Sequence, residues 1–370
     1  MELFAVKKTI FTFVIALILS LFLVACGGGS SDSGGTNQTN NNQAQLENLG
    51  KSLYFDENLS QPAGQSCASC HLPEAGFADP DQLSPTSEGA GAGLFGNRNS
   101  PTASYAAHIP EFLLIKSATD PDKYIGGQFW DGRASTLEDQ AAGPFLNPIE
   151  MNNADKAEVI GKVKISVYAA DFETVFGAGA LDDVETAYAQ VTQAIAAFER
   201  TDVFSPFSSK FDAVQQGLES FNDSELRGQE LFTQHCDVCH TSTGAKAMFT
   251  NFEYKNISTP ANPNNLFLTM DASFNPDGMA FVDLGLGGVV GDPLQDGKFR
   301  TSTLRNIAET APYMHNGVFD TLEKVVDFYF SASPPEVNRN ISMEVTTRET
   351  FLAPDDKTAL VDFMKTLSDR

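Results

Sequence analysis

The chain has 370 residues and a formal charge of −24. That length admits two domains with cores of their own. That charge excludes nucleic acid as a partner and, at its plainest, keeps the protein soluble. Four of the five cysteines stand in two CxxC pairs, so Cys26 has no partner for a disulfide.

Lys7 and Lys8 precede an apolar run over 10–25, the charged-then-hydrophobic order of a secretory signal. The run ends in Leu23-Val24-Ala25-Cys26, which resembles the lipobox of bacterial lipoproteins. That resemblance implies removal of residues 1–25 and lipidation of Cys26. A transmembrane anchor is the alternative, because the run falls only a little short of a spanning length. Both readings put the rest of the chain outside the cytoplasm, and the first makes it a lipid-anchored periplasmic protein. Residues 26–44 are Gly, Ser, Asn, Gln and Thr with almost nothing to bury, so they read as a flexible tether.

From Leu46 the pattern turns helical, with Leu46, Leu49 and Leu53 on one face. The helix leads to Cys67-Ala68-Ser69-Cys70-His71. Two thiols and an imidazole at this spacing are the attachment signature of a c-type haem. The thiols add to the haem vinyl groups, and the histidine becomes an axial ligand of the iron. Zinc is a weaker reading, since it wants four ligands in tetrahedral geometry and this pentapeptide crowds three together.

Residues 72–128 are rich in Gly, Pro, Ser and Asn and read as loops around a cofactor. Residues 183–200 form an amphipathic helix with Val184, Ala187, Val191, Ala194, Ile195 and Phe198 as its apolar stripe, capped by Asp182 or Asp183. A domain boundary is expected near Ser205-Pro206. Another helix, from about Ser224, contains Gly228-Gln229-Glu230-Leu231 and echoes Gly50-Lys51-Ser52-Leu53. It leads into a second signature, Cys236-Asp237-Val238-Cys239-His240. A helix from near Thr321 puts Leu322, Val325, Val326 and Tyr329 on one face, and a last helix follows Asp355. The expected fold is mainly α, with few strands. It comprises two cytochrome-c-like haem domains, 45–205 and 206–370.

Two CxxCH sites, Arg98-Asn99-Ser100-Pro101-Thr102, Phe129-Trp130-Asp131-Gly132-Arg133, Asn147-Pro148-Ile149-Glu150-Met151-Asn152 and Thr310-Ala311-Pro312-Tyr313-Met314-His315-Asn316-Gly317 occur in one chain. Together they resemble the bacterial di-haem cytochrome c peroxidase family, and its MauG-like branch in particular, from about residue 45 to the end. The resemblance implies two covalently bound haems c, with hydrogen peroxide reacting at the N-terminal one. Electrons then reach the C-terminal one from a small cytochrome c or cupredoxin. It makes Trp130 an electron relay between them, where composition alone suggests only a large core residue. It also implies a calcium ion held by Asn99, Thr310 and the carbonyl of Pro312.

Glu150 matches the family's pocket acid–base and Gln140 a pocket amide. Otherwise Glu150 would be an ordinary solvated carboxylate. His71 and His240 ligate iron, and His315 lies in a family motif near the second haem. His235 directly precedes Cys236, and His108 reads as structural. The loop over 83–96, which often carries a blocking histidine in the family, has none here. The first haem is therefore expected to be five-coordinate. Tyr329 occupies the position of the family's methionine ligand, as in MauG-type members. Met248, Met270 and Met279 are the rival ligands, and a core tyrosine is the plain alternative. A phenolate stabilises ferric iron, whereas a thioether favours ferrous. Tyr329 and the histidine-free loop thus favour a second function, peroxide-driven oxidation of a partner protein. A pure electron-transfer cytochrome is the third possibility.

Overall fold

The computed structural model describes residues 34–119, 122–331 and 350–370. Cys26 and the apolar run before it lie outside the described residues. Among the described residues, no helix is long and apolar enough to cross a membrane.

The first helix, α1, spans Gly34–Tyr54. It starts inside the segment read as a tether and well before Leu46. Residues 41–44 of it are exposed. Once Leu49, Leu53 and Tyr54 pack into the core, extending the helix toward the N-terminus fixes one residue per hydrogen bond and needs no new nucleus. The short α2, Cys67–Cys70, carries the first thiol pair. There follow α3 (Leu137–Leu146), α4 (Lys156–Lys164), α5 (Ala169–Phe176) and α6 (Val184–Glu199). The later helices are α7 (Lys210–Gln215), α8 (Asp223–His235), α9 (Leu286–Val290), α10 (Leu322–Tyr329) and α11 (Pro354–Lys365).

Strands are few. β1 (Leu113–Ile115) pairs antiparallel with β2 (Lys123–Ile125), Leu113 opposite Ile125. β3 (Tyr254–Lys255) pairs antiparallel with β4 (Phe299–Arg300), Tyr254 opposite Arg300.

The helix ends follow from local chemistry. Asp183 caps α6 by accepting the Thr186 N–H at 2.8 Å. Thr136 and Asp139 form a reciprocal capping box at the start of α3, and Asn222 and Glu225 form one at the start of α8. On α6, Ala187, Val191, Ala194, Ile195 and Phe198 are all buried, as the stripe predicts.

Two main hydrophobic cores form among the described residues, beside a small cluster of Ala106, Leu137 and Ala196. The first gathers Leu49, Leu53, Val159, Phe172, Val191 and Phe204 among others. The second gathers Phe211, Leu231, Phe232, Phe249, Leu360 and Phe363. Each such fully buried aliphatic or aromatic side chain contributes about 1.5–3 kcal/mol.

The echo between Gly50 and Gly228 has a shared physical cause. A Cβ on Gly50 would lie 1.9 Å from the Ala194 carbonyl oxygen and 2.9 Å from the Phe198 Cβ. One on Gly228 would lie 1.9 Å from the Ala359 carbonyl oxygen and 2.7 Å from the Phe363 Cβ. In each half, then, the helix before the CxxCH crosses a later helix backbone to backbone. Only glycine fits at the crossing.

The halves are bonded to each other within one compact unit from Asn41 onward. The Tyr105 hydroxyl donates to Asp369 at 2.8 Å. Ile125 pairs with Glu253, and the Tyr254 hydroxyl donates to the Gly126 carbonyl at 2.6 Å. Within the C-terminal half, Arg305, fully buried, forms a bidentate pair with Asp212 at 2.6 and 2.9 Å.

Candidate active site

Two cavities open in the compact unit. The N-terminal one has about 1340 Å³ of atom-free space, part of it open to solvent, and is lined by Cys67, Cys70, His71, Gln140, Glu150 and Glu199 among others. The C-terminal one has about 1800 Å³, again partly open. Its walls include Cys236, Cys239, His240, His315 and Tyr329.

The two signatures are set in the same way. Nδ1 of His71 lies 3.2 Å from the Phe77 carbonyl, and Nδ1 of His240 lies 2.9 Å from the Phe249 carbonyl. A carbonyl only accepts, so Nδ1 carries the proton and Nε2 presents its lone pair. Burial pulls both imidazoles below their ordinary pKa and keeps them neutral. Burial also pushes the thiols of Cys67, Cys70 and Cys236 up to about 12. Neutral thiols beside a neutral imidazole suit thioether attachment and axial ligation. Tetrahedral zinc would need a fourth ligand beside the two thiols and the imidazole.

The FWDGR turn lies between the cavities, and each of its residues has a physical role. Gln128 donates its N–H to the Ala134 carbonyl at 2.7 Å and closes the turn. Phe129 is left-handed at φ 63°, and the Arg133 guanidinium stacks on its ring at 3.5 Å. Asp131 is buried and ties Arg98 at 2.6 Å to Arg133 at 3.0 Å. Gly132 sits at φ 75°, where a Cβ would come within 2.1 Å of the Tyr254 hydroxyl. Trp130 lines both cavities. Its indole N–H donates to the Asn99 carbonyl at 2.8 Å, which fixes the ring.

Glu150 is anchored through its backbone. Its N–H donates to the Asn147 carbonyl at 3.0 Å, and its carbonyl accepts the Ala90 N–H at 2.7 Å. Burial raises its carboxyl above the ordinary range, against the lowering pull of Arg133 and Asn147. Loop 83–96 presses on this segment. A Cβ on Gly89 would lie 2.3 Å from the Ile149 carbonyl oxygen. Gln140 reaches the same cavity from α3.

In the C-terminal cavity, Leu322, Val325, Val326 and Tyr329 of α10 all line the wall, as their spacing predicts. Of the rival methionines, Met248 lines it too. Met270 and Met279 do not line it. The Met270 sulfur accepts the Phe95 N–H at 3.3 Å, and Met279 is exposed. His315 stacks on Phe299 at 3.7 Å, and burial takes it down to about 4 against the pull of Asp283. His235 lines the cavity with its ring against Phe330. His108 packs on Tyr105 and Phe207. Asn99, Thr310 and Pro312 all reach this cavity.

Two cavity residues escape sequence reasoning. Glu199 ends the apolar stripe of α6; burial pushes it up to about 8, and its Oε2 has no hydrogen-bond partner among the described residues. An acid between Phe198 and Arg200 was the available signal. Arg300 lines both cavities from β4, with its Nε buried and unpartnered. No periodicity marks it. Orphaned polar atoms on apolar cavity walls fit a cofactor that carries polar groups of its own.

A family model for di-haem cytochrome c peroxidase matches residues 44–220. Over 353 residues the chain is 40% identical to the methylamine utilization protein MauG of Paracoccus denitrificans, covering 88% of this chain and 89% of that protein. The chain belongs to the di-haem cytochrome c peroxidase family. The peroxidase is also 31% identical over 329 residues to the cytochrome c551 peroxidase of Nitrosomonas europaea, covering 88% of this chain and 80% of that one. The solved structure of the diheme peroxidase BthA from Burkholderia thailandensis superposes with a TM-score of 0.78 at 32% identity, over 88% of this chain and 86% of that one. Membership makes the peroxidase an oxidoreductase acting on hydrogen peroxide, with two c-type haems and a redox-protein partner.

Proposed function

We propose that this peroxidase reduces hydrogen peroxide to water in its N-terminal cavity, with electrons drawn through the C-terminal one from a small cytochrome c or cupredoxin. The position of Trp130 carries the reading. It lines both cavities, whereas Glu150 and Gln140 line only the N-terminal one. Bound through Cys67, Cys70 and His71 and through Cys236, Cys239 and His240, the haems supply iron that meets peroxide on one side and holds electrons on the other.

Glu150, as its carboxylate, takes the proton from the peroxide oxygen nearer the iron and returns it to the farther one, which leaves as water. The Gln140 amide orients the peroxide by hydrogen bonding. One hydrogen peroxide, two electrons and two protons give two waters. Loop 83–96 turns Ser87, Glu88, Gly89 and Gly96 toward this cavity and offers no imidazole. No imidazole from this loop would then block the iron's open side. Trp130, held on the Asn99 carbonyl, relays the electrons. Asn99, Thr310 and the Pro312 carbonyl would hold a calcium ion, which would stiffen the same wall.

A second reading has one observation in its favour. Tyr329 shares the C-terminal wall with Leu322, Val325 and Val326. As a phenolate ligand it would hold that haem ferric and suit it to oxidising a partner protein. Two haem domains, 45–205 and 206–370, and a periplasmic location with a lipid on Cys26 complete the proposal. Steady-state turnover with reduced cytochrome c and peroxide tests it. Rapid turnover is expected, and negligible turnover would move the assignment to the protein-oxidising reading.

A further inference from the structure

Arg300 is the one cationic side chain among the described residues that lines both cavities. It is 7% exposed. Its backbone N–H donates to the Trp130 carbonyl at 2.8 Å, and its Nη2 donates to the Phe129 carbonyl at 3.1 Å. Its Nε is buried without a hydrogen-bond partner. Among the described residues it forms no ion pair, and Asp131, an acid whose charge acts on it, is bonded by Arg98 at 2.6 Å and Arg133 at 3.0 Å. Burial pulls the guanidinium below its ordinary pKa, against the raising pull of Tyr254 and Asp131. A buried cation left in this state is costly, so an anion is missing from its surroundings.

The shared wall narrows the choice of anion. Beside Arg300 it consists of Asn99, Ser100, Pro101, Thr102, Ile109 and Trp130, none of them acidic. Each cavity is mostly apolar and ends in a CxxCH. The anionic groups of a haem are its two propionates. A guanidinium is planar, offers five donors and matches carboxylates in a forked arrangement.

We propose that Arg300 is a shared carboxylate clamp, bonding one propionate of the haem in each cavity and setting the potentials of both haems with a single charge. The inference rests on two bound haems. A positive charge near an iron porphyrin favours the reduced form, which carries one charge less. Removing it, and freeing two propionates, favours oxidation at both sites.

Spectroelectrochemical titration of holoprotein carrying Arg300→Gln and Arg300→Lys tests this. Arg300→Gln keeps a planar donor and loses the charge. Both midpoint potentials are expected to fall, by about tenfold in each one-electron reduction equilibrium, or ~59 mV. Arg300→Lys keeps the charge and should show less than half of that fall. A shift confined to one haem, or two intact haems with unmoved potentials, would overturn the clamp and leave the family assignment standing. Wild-type protein with fewer than two haems by pyridine haemochrome would remove the premise instead. If the Gln variant loads poorly, a structure of the wild-type holoprotein decides. Guanidinium nitrogens within about 3.2 Å of carboxylates from both haems support the proposal. Separation from either haem's carboxylates rejects it.

Discussion

Replacing Glu150 with Gln tests the proton-transfer role almost in isolation. The residue's main-chain anchors, its N–H on Asn147 and its carbonyl on Ala90, do not involve the carboxyl, and the Asn147 side chain that bonds the carboxyl can bond an amide as well. The amide also has nearly the carboxylate's shape, so the cavity wall should not move. What disappears is the ability to accept a proton. A positioned general base contributes about 10²–10⁴-fold, or roughly 2.7–5.4 kcal/mol at 1.36 kcal/mol per decade. Stopped-flow rates of peroxide reaction with the holoprotein should fall by that factor. The pH profile gives a second signature. Burial raises the Glu150 carboxyl above the ordinary carboxylate range, and the working form is the deprotonated one. The wild-type rate should therefore hold above that raised pKa and fall as pH drops through it. In Glu150→Gln this acidic limb should vanish. A variant that keeps more than about a third of the rate, or that shows the same acidic limb, would refute the assignment.

Three further outcomes follow from the geometry. Asp212→Ala strands the buried Arg305 guanidinium and should cost about 3–5 kcal/mol by urea unfolding. Burial pushes the Asp212 carboxyl up, but Arg305 and Ser209 pull it below its usual value. The pair's contribution is therefore full above the unfolded-state pKa, and the gap between wild type and variant should close as pH falls through the depressed folded one. Gly228→Ala puts a methyl 1.9 Å from the Ala359 carbonyl oxygen and should lower stability by about 1–3 kcal/mol or more, read as a lower Tm. Tyr329→Phe removes the proposed phenolate ligand. The optical and EPR spectra of the C-terminal haem should change while those of the N-terminal haem stay, and an unchanged spectrum would make Tyr329 a core residue.

The parts of this protein legible in its sequence are those set by local chemistry. The CxxCH pairs, the Asp183 cap on α6 and the four-residue face of α10 depend on spacing within a few residues; the cap and the face take the expected form, and each CxxCH lines a cavity. The parts that depend on where distant segments meet were not legible. Gly50 and Gly228 could be matched as a phrase. Only the fold shows that each receives a carbonyl from a helix more than a hundred residues away. The start of α1 at Gly34 was hidden because polar residues at a helix end depend on the packing that follows them. Met270 looks like a ligand in composition, but its sulfur is spent on the Phe95 N–H. Arg300 carries no sequence signal at all, because its meaning lies in β4 passing behind Trp130.

The setting of the two histidines limits how this protein can be tuned. Each Nδ1 is held by a main-chain carbonyl, those of Phe77 and Phe249, both on residues with left-handed backbones at φ 59° and φ 52°. A carboxylate in that place would lend the imidazole anionic character, and exchanging it would be a one-codon adjustment of electron donation to the metal. A peptide oxygen cannot be exchanged by mutation. The push from behind is thus nearly the same at both centres and closed to selection, so differences between them must be written on the opposite faces and at the porphyrin rims.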